Sequence, residues 1–205
     1  MVVEMLQRVL TVGAEQDDFV MTMVPAGEAR LPTGRVVGCD PLSFTQLAEP
    51  FTVSVPPGRY PLRAWVAIRQ QDGAELERHT AALQLVIREE AAVRWEQALL
   101  PGQDPALLDD DEFFAYPVDT GTGTFADESA VRGLTQWTYE QVEAAFLPAV
   151  PLPAPAVLTA VTDERTGANV VLVSAGHGAG RYPTFIGYTG GGEVACFVTT
   201  FLVVR

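Results

Sequence analysis

Turn residues set between apolar, β-rich runs constrain this chain more than any other feature. Tyr60–Gln70 and His79–Arg88 flank Gln71-Asp72-Gly73, Ala156–Val161 and Asn169–Val173 flank Asp163-Glu164-Arg165-Thr166-Gly167, and Tyr182–Thr189 and Glu193–Val204 flank Gly190-Gly191-Gly192. Gly and Asp tolerate the backbone conformations of tight turns, and the β-branched and aromatic residues on either side suit a pleated, half-buried surface. Each set therefore predicts a hairpin. The last run is almost wholly apolar, which predicts a strand covered on both faces. Phe51, Val53 and Val55 alternate with Thr52 and Ser54, a period-2 strand pattern broken by Pro56-Pro57-Gly58. Arg30–Val37 and Ala115–Thr120 also read as strands. The first enters a turn at Gly38-Cys39-Asp40-Pro41, where the proline keeps Asp40 out of the helical region.

Helical patterning is scarcer. Thr135–Leu147 predicts a helix, with Thr135 as cap, Trp137, Val142, Ala145 and Phe146 on one face, and Pro148 as stop. Arg88–Leu100 is ambiguous, because Trp95, Ala98 and Leu99 have helical spacing before Pro101-Gly102. Residues 1–13 read as a short amphipathic helix or a strand. Prolines 148, 151, 153 and 155 make a stiff connector. Only about 50 residues follow it, near the size at which independent stability becomes marginal, so residues 1–205 read as one domain. The expected class is α+β, mostly antiparallel β and sandwich-like, with one or two short helices.

Charge and side-chain inventory narrow the chemistry. Among 205 residues there are 26 acidic and 13 basic side chains, a net charge of −13; every basic one is Arg. Without Lys there is no Schiff base, phosphate-loop lysine or Ser–Lys dyad. Two His exclude a three-His zinc site. The acid excess repels nucleic acid and anionic membranes. Of the 26 carboxylates, 22 lie outside the acidic run 109–112, so the charge reads as a solvated surface rather than one patch. No apolar run is long enough to predict a transmembrane helix. Glu4 and Arg8 interrupt the first apolar run, which therefore does not read as an export leader. The expectation is a cytoplasmic protein with Cys39 and Cys196 as reduced thiols. Arg in place of Lys, with abundant Ala, suggests a GC-rich bacterial genome.

Several constellations invite a chemical reading. Gly176-His177-Gly178-Ala179-Gly180 looks like a phosphate loop, but it feeds Arg181-Tyr182-Pro183 rather than the helix such a loop requires. A glycine turn or a ligand-contact loop fits better. Asp119-Thr120-Gly121-Thr122-Gly123, with Asp127 beyond, offers two carboxylates for a cation or for acid–base work, or simply for capping backbone N–H groups. Cys39 beside Asp40 is a nucleophile only if a His approaches it, and its apolar neighbours argue for burial. Ser174 lacks the glycine two positions earlier that a nucleophile elbow needs. His79 reads as a solvated strand side chain, and Trp65, Trp95 and Trp137 read as core.

Taken in order, several blocks resemble an uncharacterised bacterial domain-of-unknown-function family. They are Pro32-Thr33-Gly34-Arg35-Val36-Val37-Gly38-Cys39-Asp40-Pro41, Pro56-Pro57-Gly58-Arg59-Tyr60-Pro61, Arg94-Trp95-Glu96, Val118 to Asp127, and Ser174 to Tyr188. The resemblance spans about residues 30–204 and implies one intact domain, with no established activity, cofactor or substrate. The family loop typically reads Gly-Trp-Gly-Asp-Gly, where this chain has His177 and Ala179, which counts against a family-wide catalytic histidine. The leading expectation is a non-catalytic domain binding a protein or small ligand, as an immunity- or regulator-type partner would. Its ligand-binding candidates are Asp40, Asp119, Asp127, His177, Arg181 and Tyr182. No catalytic residue, metal or cofactor is assigned. The rival is a small hydrolase assembled at the Cys39, Asp119 and Gly176 turns, with Arg181 holding an anion.

Overall fold

A computed structural model describes residues 2–16, 18–43, 45–109 and 112–204. Asp110 and Asp111 of the acidic run thus lie outside the described residues. The chain opens with helix α1 (Val2–Val9), followed by strands β1 (Glu15–Gln16), β2 (Phe19–Leu31), β3 (Val36–Cys39), β4 (Gly58–Gln71), β5 (Ala74–Val86) and β6 (Arg94–Gln97). Next come β7 (Tyr116–Val118), β8 (Thr122–Asp127), α2 (Glu128–Leu134) and α3 (Tyr139–Phe146). The rest is all strand: β9 (Leu158–Asp163), β10 (Ala168–Ser174), β11 (Gly180–Tyr182), β12 (Thr184–Tyr188) and β13 (Val194–Thr200).

The three hairpins form where the turn chemistry placed them: β4–β5, β9–β10 and β12–β13, all antiparallel. Asp72 and Gly73 both take positive φ (52° and 79°), the requirement of a two-residue turn that follows the strand twist. Seven strands form one sheet in the order β1-β2-β4-β5-β13-β12-β6, and four form a second in the order β3-β8-β10-β9. Strands β11 and β7 pair separately.

Apolar side chains sort the elements into layers. Leu62 and Ala64 of β4, Leu83 and Leu85 of β5 and Phe197 of β13 meet Val36, Phe125, Val171 and Val173 of the smaller sheet, so the two sheets enclose the main core. Leu6 and Val9 of α1 cover the outer face of the larger sheet at Met21, Trp65, Phe185 and Val198. Ala130, Val131 and Leu134 of α2, with Phe146 of α3, cover the outer face of the smaller sheet at Val37, Ala126, Val170 and Leu172. The fold is therefore α+β and predominantly antiparallel. β13 lies between β5 and β12 with apolar neighbours on both faces, which is why its sequence does not alternate.

Local readings change at several points. Phe51–Val55 keeps its alternating burial but makes no ladder, its bonds going to Val36, Gly34 and Leu99 one at a time. Arg94–Gln97, in a stretch whose pattern is ambiguous, is an edge strand on β12. The helix expected from Thr135 begins after Thr138, whose side chain and that of Gln141 cap each other's backbone N–H. Thr135 instead ends α2, which brings the α-helices among the described residues to three.

Candidate functional site

The turn after β3 and the turn before β8 are locked together by one carboxylate. Asp40 is fully buried. One oxygen accepts the Asp119 and Thr120 N–H groups at 2.9 and 2.8 Å. The other accepts the hydroxyls of Thr120 and Thr122 at 2.7 and 3.0 Å and the Leu42 N–H at 3.0 Å. Five donors on one carboxylate leave it no free lone pair for a ligand.

A third turn joins them. Ala175 N–H donates to Gly121 O at 2.8 Å, and a side chain on Gly121 would press on the Gly178 backbone. The Cys39, Asp119 and Gly176 turns thus converge, backbone against backbone. Gly121 and Gly178 have φ of 74° and 109°, which suits glycine at both positions.

Asp127 lies elsewhere. It ends β8, roughly 16 Å along the strand from Thr122. Thr33 donates to one of its oxygens through N–H and hydroxyl at 3.0 and 2.8 Å, and Ser129 to the other at 3.0 and 2.7 Å. Asp127 therefore caps α2 and ties it to the loop before β3. The Tyr182 hydroxyl donates to Gly178 O at 2.8 Å while its ring packs on Phe201. Arg181 is exposed and donates to Ala115 O at 3.2 Å. Asp119 and His177 are exposed beside the same turns.

The thiol proposed as a nucleophile is sealed. Cys39 is 4% exposed between the smaller sheet and its helices. Burial, reinforced by the Asp40 carboxylate, pushes its pKa up to about 12. A thiol held neutral under apolar cover is inert. Cys196 is also a buried free thiol, its pKa raised by burial.

A second cluster was not legible from the sequence as a unit. His79 is not a solvated strand side chain: its Nε2 lies 2.6 Å from Glu77 Oε1, its Nδ1 3.3 Å from Gly176 O. Its ring centroid is 4.3 Å from that of His177. Arg69 pairs with the other Glu77 oxygen at 2.6 Å and covers the Phe19 ring. The hydrogen bond from His79, with the nearby cations, holds the Glu77 carboxyl below its ordinary pKa. Glu77 and His79 share a strand face by their two-residue spacing, which was readable. The approach of His177 was not, because it depends on Gly176 N–H reaching Thr80 O. A groove of about 490 Å³ beside α1 lies apart from this cluster and is bounded by Gln7, Trp65, Gln84 and Trp95.

No helix among the described residues is long and apolar enough to cross a membrane. The family described as a protein of unknown function, DUF4241, matches residues 29–199, and the chain belongs to it. Comparison with curated proteins and with solved structures gives no match.

Proposed function

We propose that this member of the DUF4241 family is a non-catalytic, single-domain binding protein of the bacterial cytoplasm. Its partner is a basic protein, in the manner of an immunity or regulatory factor, or a small ligand. One observation carries the reading: the groups that a hydrolase would need at the converging turns are already used by the fold. Cys39 is sealed and neutral there and Asp40 is saturated by internal donors, while Asp127, away from those turns at the far end of β8, is saturated as well. What the turns leave toward solvent is Asp119, His177 and Arg181 on a rigid backbone frame, an arrangement suited to holding a partner. A net charge of −13 spread over the surface would steer a basic partner and suppress acidic ones.

The test is affinity capture from the native organism, with the retained protein then purified and titrated against this chain. Binding to a basic partner should weaken steeply between low and high salt, and Asp119→Asn with Arg181→Ala should weaken it further without lowering thermal stability. Retention of nothing at low salt counts against the reading. So does turnover of ester, amide or phosphoester substrates that Asp119→Asn abolishes in a stable fold.

A further inference from the structure

The cluster near the start of β5 has a composition that neither the turns nor the core explain. Glu77, His79 and His177 each offer one ligating atom, and these atoms lie within 4.8 Å of one another. We propose that these three residues bind a first-row divalent ion of the zinc class, with the remaining coordination position open to solvent.

The donor set selects the ion. Two imidazoles and one carboxylate suit Zn²⁺ and its borderline neighbours, whereas Ca²⁺ and Mg²⁺ require oxygen-rich shells. The spacing fits with a small adjustment. Ligands 2.0–2.1 Å from a tetrahedral ion stand about 3.3 Å apart. The 2.6 Å contact between His79 and Glu77 must therefore open by a fraction of an ångström as the ion replaces the shared proton.

The supporting contacts are already in place. Metal-bound imidazoles commonly donate their other N–H to a carbonyl or carboxylate, and metal-bound carboxylates are themselves hydrogen-bonded. With Nε2 on the ion, His79 presents Nδ1 to Gly176 O. With Oε1 on the ion, Glu77 keeps Oε2 on Arg69. His177 comes from the loop between Gly176 and Gly178, whose φ values of 44° and 109° allow the chain to dip against β5. A side chain on Gly176 would run into the Phe201 carbonyl and ring stem. The loop thus reaches the strand only as glycine, and the histidine between two glycines is what it delivers. An ion there would pin the converging turns to the larger sheet. This inference does not rest on the partner reading, since metal titration involves no partner and the two can fail separately.

The experiment is calorimetric titration of the full chain, stripped with EDTA, with ZnCl₂ at neutral pH, alongside Co²⁺ titration read by visible absorption. The expected result is one Zn²⁺ per chain and a four-coordinate Co²⁺ spectrum. His177→Ala, on an exposed loop position, should weaken binding at least tenfold with the circular dichroism spectrum intact, and Glu77→Gln should do the same. Thermal stability of the native chain should rise with Zn²⁺ and that of His177→Ala should not. Absence of stoichiometric binding overturns the proposal, as does binding that both variants retain.

Discussion

Asp40 and Asp127 show how far a single side chain can organise this molecule. Each is fully buried, and each satisfies backbone groups in segments distant in sequence. Replacing Asp40 by Asn keeps the shape but turns an amide NH₂ toward donors that now have no acceptor. An unpaired buried donor costs more than the net value of the bond that it lost. We expect Asp40→Asn to lower stability by about 3 kcal/mol, read from the urea midpoint at unchanged slope. A catalytic role would instead leave the midpoint near its native value. The sequence shows Asp40 and Asp119 as candidate ligands because an Asp beside a Gly turn has the same spelling in both roles. The fate of the carboxylate depends on donors 79 to 82 positions away, which no local pattern displays.

At the scale of the element, the legible parts were those whose cause is local. The β4–β5 turn needs positive φ at two successive residues and has Asp72-Gly73 there; the proline after α3 stops a helix wherever it stands. Arg94–Gln97 was not legible because its strand state comes from pairing with β12, nearly a hundred residues on. Helix α2 was missed because it has only seven residues and contains Gly133. That glycine is explained by packing: a Cβ there would strike the Thr162 carbonyl of β9, while the Thr162 hydroxyl donates to Ala130 O at 2.7 Å. Ordinarily alanine stabilises a helix interior by about 1 kcal/mol over glycine. Here the sign reverses. Gly133→Ala should destabilise by about 2 kcal/mol, because two backbones must separate. Thr138→Ala, which removes the cap of α3, should lose about 1 kcal/mol. Equilibrium unfolding of the two variants side by side checks the order; a Gly133→Ala protein as stable as native would mean that α2 does not rest on β9.

On the scale of the whole molecule, four layers bury groups that ionise at alkaline pH, and this sets a limit on stability. The Cys39 thiol titrates near 9.0 when free and near 12 beneath α2 and α3. Above the free value the unfolded chain loses a proton that the folded chain keeps, so the free energy of unfolding falls with each further pH unit. The contribution of Cys39 is fully present below pH 9.0 and is lost progressively toward pH 12. One group can remove at most about 1.4 kcal/mol per pH unit, or about 4 kcal/mol across the interval. The buried hydroxyl of Tyr116, whose pKa burial also raises, acts in the same direction at higher pH. Cys39→Ala loses packing at every pH, so the informative quantity is slope rather than height. Unfolding free energies measured between pH 8 and pH 11 should fall less steeply in Cys39→Ala than in the native chain. Equal slopes would mean that the thiol meets solvent before the fold opens. Native Cys39 should then also react with a thiol reagent as fast as unfolded chain does, whereas the sealed thiol should react only at the rate of opening.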